Sequence, residues 1–367
     1  MSWNYREEYQ KINQLTLEYI KKRWEKLDLK LFKTRDKSKY IIVDFEKRKR
    51  NTIYGVVIYK RRIYKYYNTE LNQWVYICLV DEKLELPKYK RIGEDIEQNA
   101  FAYFADGKRY KDICHTMLLA NVNRMTICRI FKKYVVVMQN ISKIKLEPNQ
   151  PIYISIDDGH RKFWEYKRKI KQYSMRLVVF YTDNINHTLV NKRANVIIRP
   201  NKTVLGASKT ADFILEQGKQ FFENFDQAQV IVCGDSAGWI KKTAEHLNAK
   251  FILDKFHLIK VLYLGIIAGN KGKYYQEYNT CRKYIENGEY DKLLDYLKTL
   301  KHKKLKKKYF LNNKEGITNQ SCKENIGCFA ESNVWHILKS MLGNRTYSIE
   351  TYKKMIIFKC QEINLKP

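Results

Sequence analysis

Proline is scarce in this chain of 367 residues, five in all, and glycine numbers only 15. So few chain breakers, alongside 44% hydrophobic and 14% aromatic residues, exclude a disordered or low-complexity polypeptide. Long apolar runs are missing too. The stretch Val261 to Ala268 (VLYLGIIA) is among the longest, far short of the roughly 20 residues a membrane-spanning helix needs, so a soluble protein with no membrane partner is expected. The opening residues MSWNYREEYQ lack the apolar core and cleavage site of a secretory signal, which points to the cytoplasm. The eight cysteines (78, 114, 128, 233, 281, 322, 328 and 360) form no CxxC pair and no Cys/His ligand spacing. That argues against a zinc ribbon or a disulfide framework and for reduced, mostly buried thiols. Acid is the last shortage: 39 Asp and Glu stand against 70 Lys and Arg, a net charge of +31. A surplus of that size makes a polyanion the expected partner, with nucleic acid first among polyanions. The length itself allows two or three compact units.

What is present falls into an ordered series. Between Tyr5 and Phe32, Ile12, Leu15, Tyr19, Ile20, Trp24 and Leu27 recur at helical spacing and predict an amphipathic packing helix. Thr52 to Tyr67 (TIYGVVIYKRRIYKYY) is β-branched and aromatic, and the charged Lys60-Arg61-Arg62 in its middle predicts the turn of a β-hairpin. Glu94 to Tyr134 carries three short helical patterns separated by Asp106-Gly107 and by Leu119 to Asn123, the order of a helix-turn-helix. Its last helix starts at an Asn123 cap, buries Ile127, Ile130 and Phe131, and turns Arg124, Arg129, Lys132 and Lys133 outward, which suits either a groove-reading helix or a basic-faced three-helix packing unit.

After a linker at Leu146 to Pro151 the periodicity becomes strand-like. Three runs, 151 to 157 (PIYISID), 176 to 182 (RLVVFYT) and 195 to 199 (NVIIR), are followed by a helix over Thr210 to Phe222. Two further buried strands, 229 to 235 (QVIVCGD) and 250 to 254 (KFILD), flank a helix over Ala237 to Leu247. Three successive strands, a helix and then alternating strand and helix is the order of an α/β ribonuclease-H-like core. From Lys260 to Lys323 the chain reads as helical and basic, with seven lysines and no acid between Lys298 and Lys308. Such a run is either a solvated face or a surface that tracks phosphates, and Lys303, Lys304, Lys306 and Lys307 are its DNA-binding candidates. Glu331 to Leu342 predicts a final helix. The expected organisation is thus an N-terminal helix and β-hairpin region (1–93), a helix-turn-helix region (94–145), the core (151–258), a basic helical insertion (259–325) and the final core helix with a tail (326–367).

In so basic a chain the acids at strand ends carry the most information. Asp157 and Asp158 follow the first core strand, Asp235 ends the fourth and Asp254 the fifth. Strand carboxyl ends are where open α/β sheets place ligands. Magnesium takes hard oxygen ligands, one or two carboxylates per ion, and two ions about 4 Å apart stabilise the attacking and leaving oxygens of an in-line phosphoryl transfer. Two strand-end aspartates and a glutamate from a late helix match that need. Each aspartate alone is also a common turn or cap residue.

The runs ISIDDGH (154 to 160), VIVCGDSAGWIK (230 to 241), FILDKFHLIK (251 to 260) and IGCFAESNVWHILKSMLGNR (326 to 345) resemble the four signature blocks of the DDE transposases of the ISLre-two insertion-sequence group. Many members of that group are catalogued only as an uncharacterised protein family of Gram-positive and mollicute bacteria, distantly similar to Mutator-type transposases. RNTIYGVVIYKRRIYKYY (50 to 67) and LVDEKLELPKYKR (79 to 91) resemble its N-terminal region. The resemblance implies a metal-binding triad of Asp157, Asp235 and Glu331 on two Mg²⁺ or Mn²⁺ ions, with Asp158 as an adjacent alternative first ligand. Asp254 and His257 (DKFH) resemble the Asp/Cys-x-x-His element that accompanies Mutator-type sites, where they would orient DNA or a carboxylate. Two departures stand out: Ser236 replaces the usual glycine, and Arg345-Thr346-Tyr347 replaces an Arg-Pro and a tryptophan.

The expected function is metal-dependent cleavage at insertion-sequence ends and strand transfer into target DNA. The partner would be double-stranded DNA, held partly by Arg345, by a homodimer or larger assembly associated with the nucleoid. The alternatives are an inactive transposase-derived DNA-binding regulator and a ribonuclease-H-like nuclease. ATP is not expected, because Gly206-Ala207-Ser208-Lys209-Thr210 lacks the GxxxxGK[ST] spacing of a phosphate loop. The aromatic and basic residues interleaved between Tyr59 and Tyr67 suit either single-strand stacking or an ordinary hairpin surface.

Overall fold

The computed structural model describes residues 5–133, 140–165, 170–267, 271–343 and 347–366. The chain divides into two compact units, Met1–Tyr134 and Val135–Pro367, a coarser division than the five regions expected from sequence.

In the first unit, α1 (Tyr5–Thr34) precedes a three-stranded antiparallel sheet of β1 (Ile41–Thr52), β2 (Gly55–Asn68) and β3 (Gln73–Ile77), followed by the short α2 (Leu79–Lys83). The expected turn at Lys60-Arg61-Arg62 is absent, and β2 runs through it without a break. Neighbouring acids neutralise the charge there: Arg61 pairs with Glu46 and Asp81, and Arg62 with Asp28 of α1. The hairpin turns instead at Thr52 to Gly55, where Gly55 takes a φ of +134° and the Thr52 hydroxyl donates to its carbonyl at 3.0 Å. Helix α1 also differs from its expected face. Leu17, Ile20, Trp24, Leu27 and Leu31 pack on Val57, Tyr59 and Val80, whereas Ile12, Leu15 and Tyr19 lie exposed.

Three helices complete this unit: α3 (Glu94–Ala105), α4 (Tyr110–Thr116) and α5 (Arg124–Lys133). Gly107 at φ +86° makes the first turn, and the Asn123 side chain caps α5 by accepting from the Thr126 N–H at 2.8 Å. Ile127, Ile130 and Phe131 are buried, as expected, and Phe131 stacks on Phe104 with centroids 4.0 Å apart.

The second unit is built on a five-stranded sheet formed by β4 (Ile152–Trp164), β5 (Ile170–Tyr181), β8 (Arg193–Pro200), β9 (Val230–Gly234) and β10 (Lys250–Leu253), in the order β10-β9-β4-β5-β8. Strand β5 pairs antiparallel with both β4 and β8, and β9 and β10 run parallel to β4. A ribbon of β6 (Asp183–Ile185) and β7 (Thr188–Val190) joins β5 to β8, and α6 (Ala207–Phe221) and α7 (Gly238–His246) supply the crossovers. Alternation along β4 sends Ile152, Ile154 and Ile156 into a core with Ile214 of α6 and Ile240 of α7.

The basic segment is α8 (Lys255–Ile266), α9 (Lys271–Glu286), α10 (Tyr290–Thr299), α11 (Lys307–Leu311) and α12 (Lys314–Thr318). Its Leu258, Leu293, Leu297, Phe310 and Ile317 join the same core, so it is an integral layer of the unit. The expected final helix is instead the single turn α13 (Ala330–Asn333) continued by a π-helical stretch, Val334–Lys339, in which the Ser340 N–H reaches the Trp335 carbonyl at 2.8 Å. A further helix, α14 (Ile349–Asn364), occupies what had read as a tail. Its Asn364 side chain bonds both the N–H and the C=O of Ala194 in β8, at 2.7 and 3.0 Å.

Among the described residues no helix is long and apolar enough to cross a membrane. All eight cysteines are unpaired; Cys233, Cys281 and Cys360 are buried, and the other five are half-buried rather than buried.

Candidate active site

Parallel pairing of β4 with β9 ends at Ile156 opposite Gly234, so Asp157 and Asp235 follow side by side, one residue past the last pair. Gly234 is what allows this approach, since a Cβ there would sit 2.9 Å from the Ile156 carbonyl oxygen and from the Ile240 side chain. Strand β10 pairs with β9 up to Leu253 opposite Gly234, and the Asp254 N–H then donates to the Gly234 carbonyl at 2.8 Å. Three aspartates on three adjacent parallel strands are thereby brought to one end of the sheet.

They are not in equivalent environments. Burial pushes the Asp157 carboxyl up to about 6, and the charges of Asp235 and Asp158 push the same way, against the Asp158 N–H and His257. Asp157 forms no ion pair among the described residues, and its Oδ1 accepts only the Asp158 N–H, at 2.7 Å. Asp235 is half-buried and its Oδ1 accepts from the Ala237 N–H at 2.8 Å. Asp254 is buried with both oxygens engaged: Oδ1 caps α8 through the Phe256 N–H at 2.9 Å, and Oδ2 lies 3.1 Å from His257 Nδ1. That bond raises the imidazole above its ordinary value; burial opposes it, and the charges of Asp254, Asp235 and Glu331 reinforce it.

Glu331 is exposed at the start of α13. One potential ligand atom from each of Asp254, His257 and Glu331 lies within 4.8 Å of the others, a grouping large and close enough to hold a cation. The expected triad is therefore distributed: Asp157 and Asp235 are adjacent strand ends, and Glu331 gathers with Asp254 and His257. The charges of Asp235 and Glu331 both reach His257, which links the two groups.

Asp158 faces the other way. Its Oδ1 and Oδ2 take bonds from Arg176 Nε and Nη2, both at 2.9 Å, and Oδ2 takes a third from Arg199 Nη2 at 2.9 Å. Burial alone would raise this carboxyl, but the two guanidinium groups outweigh it and hold it below the ordinary carboxylate value. Arg176, 2% exposed, lies 3.3 Å over the Trp239 ring and donates to Thr210 Oγ1 at 2.6 Å. Thr210 is thus fully engaged in the core, since its hydroxyl also donates to the Gly206 carbonyl at 2.9 Å.

Sequence reasoning missed Arg176, Arg199 and Trp239; a lone arginine opening the apolar run RLVVFY was the available signal. It also missed Tyr309, whose hydroxyl is raised by burial and then by the charges of Asp235 and Asp254.

The DNA-contact candidates are spread over the chain. Arg124, Arg129, Lys132 and Lys133 are exposed on α5 in the first unit. Lys303, Lys304 and Lys306 are exposed in the second unit, in the non-helical segment after α10, and half-exposed Lys307 opens α11 with its Nζ 3.2 Å from the Lys298 carbonyl. Arg345 lies outside the described residues.

Residues 6–328 match the model of an uncharacterised protein family, UPF0236. The chain belongs to that family. The matched stretch takes in Asp157, Asp235, Asp254 and His257 and stops short of Glu331. Among its relatives are UPF0236 proteins of Caldanaerobacter subterraneus subsp. tengcongensis. One is 26% identical over 325 residues, spanning 84% of this chain and 66% of the relative; another is 25% identical over 325 residues, spanning 84% and 62%. The chain thus covers somewhat less than two thirds of the length of these UPF0236 proteins. The name of the first joins eleven locus designations.

Proposed function

We propose that this UPF0236 chain is a DDE-type DNA transposase of the ISLre-two group, built on a ribonuclease-H-like core, which cleaves insertion-sequence ends and transfers them into target DNA. The observation that carries the reading is the register of β4, β9 and β10. It aligns Asp157, Asp235 and Asp254 at one end of the sheet and leaves Asp157 half-buried with no ion pair among the described residues. Three antiparallel strands followed by two parallel ones, in the order β8-β5-β4-β9-β10, favour the core assignment. A relative whose name joins eleven loci also fits, because that is the pattern a sequence copied within its genome leaves.

The donor set suits a hard divalent cation such as Mg²⁺ or Mn²⁺, with Asp157, Asp235 and Glu331 as the residues that would hold it. When bound there, such ions supply a Lewis acid that activates an attacking water or 3′-hydroxyl and stabilises charge on the phosphate. The protein's own part is to fix the carboxylates through the strand register, to keep Asp157 half out of water, and to brace His257 on Asp254 beside Glu331. Exposed Arg124, Arg129, Lys132 and Lys133 on α5 would contact duplex DNA, and the lysines around Lys304 its phosphates.

The test is cleavage and strand transfer with Mg²⁺ on DNA carrying the element's ends, comparing wild type with Asp157→Asn, Asp235→Asn and Glu331→Gln. Nicking and joining by wild type, with each variant still binding DNA but doing neither, is the expected result. Binding without cutting in either metal would make the protein a DNA-binding regulator, and cutting without joining would make it a nuclease.

A further inference from the structure

The odd-numbered side chains of β2 change environment along the strand. Val57 and Tyr59 are buried beneath α1, with Tyr59 edge-on to Trp24 at 4.9 Å. Further along, the same face opens. Lys65 pairs across the sheet with Ile41 on one side and Tyr76 on the other, and Tyr67 pairs with Trp74. Tyr67, Trp74 and Tyr76 are 46%, 49% and 54% exposed, and Ile41 is 43% exposed. Three large rings and an aliphatic side chain thus lie bare on one sheet face.

The arrangement around the rings is specific. Tyr67 and Trp74 meet edge to face at 5.5 Å, and Lys65 Nζ lies 5.0 Å from the Trp74 ring centre. A half-exposed tryptophan is thus presented with a cation held over its ring. Arg61, the other basic residue among the odd-numbered positions of this stretch, is held by Glu46 and Asp81, and Lys60 and Arg62 alternate to the opposite side of the strand. Among the described odd-numbered positions of β2, Lys65 is therefore the cation this face offers.

We propose that this face is a stacking platform for unpaired bases of single-stranded DNA. Open rings on a sheet accept base faces whatever the sequence, and a neighbouring lysine offsets the phosphate charge. A net charge of +31 gives the chain the sign that the strand complements. Same-face rows on a strand lie about 6.8 Å apart, so the row of Lys65 and Tyr76 and the row of Tyr67 and Trp74 can receive successive splayed bases. The choice of DNA over RNA rests on the transposase reading; the platform itself rests on the sheet geometry.

The experiment is metal-free binding by the full chain, in EDTA, of a fluorescent oligothymidine of about 15 nucleotides, with a blunt duplex of equal length and an oligouridine as separate arms. Trp74→Ala and Tyr67→Ala are expected to weaken oligothymidine binding by about 5- to 100-fold each, the equivalent of losing one stacked base. Trp74→Phe should restore most of it, and duplex affinity should not move. Unchanged oligothymidine affinity in the alanine variants overturns the proposal, as does an equal loss on the duplex. Tight oligouridine binding with weak oligothymidine binding overturns the assignment to DNA. A wild-type dimer that the alanine variants dissociate shows that the face closes on a second copy, which also overturns it. Because no metal and no cleavage enter, a negative result in the strand-transfer assay leaves this outcome readable on its own.

Discussion

Asp157 and Asp158 are consecutive residues of one strand, yet the two faces of β4 treat them in opposite ways. Asp158 points into the layer of α6 and α7, where two arginines meet it with three bonds of 2.9 Å and hold its carboxyl below the ordinary value. Asp157 points to the face shared with the π-helical stretch, forms no ion pair among the described residues, and is pushed up to about 6 by burial, against the weaker pull of His257. One carboxylate is a finished structural contact. The other is a half-buried carboxyl without an ion-pair partner, which is the condition of a ligand rather than of a brace.

The largest effect should come from breaking the finished side. Asp158→Ala leaves Arg176, 2% exposed, without the carboxylate that neutralises it. Removing one partner of a buried pair costs about 3–5 kcal/mol, or roughly 6–20 °C in melting temperature for a unit of this size. Calorimetry on the two proteins decides it, and an unchanged melting temperature would mean that Arg176 is not held by Asp158.

The unfinished side should respond with the opposite sign. Because the folded Asp157 carboxyl titrates near 6 rather than at 3.8, folding favours its protonated form. Its ionised form therefore costs nothing below pH ~4, and the cost grows as pH rises and is complete above about 6. In EDTA at pH 7.5, Asp157→Asn should stabilise the protein by about 1–2 kcal/mol once solvent screening is allowed for, and at pH 4 by almost nothing. Chemical denaturation at the two pH values tests this. Equal stability of variant and wild type at both would remove the case for an unpartnered buried charge.

Much of the fold around this contrast was legible in the sequence, but the contrast itself was not. Period-two alternation in PIYISID placed Ile152, Ile154 and Ile156 on one face, and the succession of strands and helices along the chain followed from run lengths and the βαβ pattern. The Asn123 cap and the buried Ile127, Ile130 and Phe131 came from helix grammar that acts within a few residues. Long-range pairing was the blind spot. Nothing local in Lys60-Arg61-Arg62 announces that Glu46, Asp81 and Asp28 will neutralise it, so a strand read as a turn. In the same way Asp158 could not be separated from Asp157 until Arg176 and Arg199, on β5 and β8, were seen to reach it. The π-helical stretch after α13 was hidden because Val334, Ile337, Leu338 and Leu342 repeat at a spacing that an ordinary α-helix would also satisfy.

The smallest effect sharpens the contrast by separating the two arginines. Arg199 gives Asp158 one bond, and its Nε also reaches the Thr203 carbonyl at 3.2 Å. Arg176 gives two bonds and is stacked on Trp239. Arg199→Gln should therefore cost only about 0.5–1.5 kcal/mol, because Arg176 still neutralises the carboxylate. The same change removes one of the charges holding Asp158 down, so its titration should move up toward 3.8 while that of Asp157, on the other face, stays near 6. Carboxyl-carbon NMR titration resolves both groups in one experiment. Parallel movement of the two would mean that they share an environment, and the division of labour between the faces of β4 would then fail.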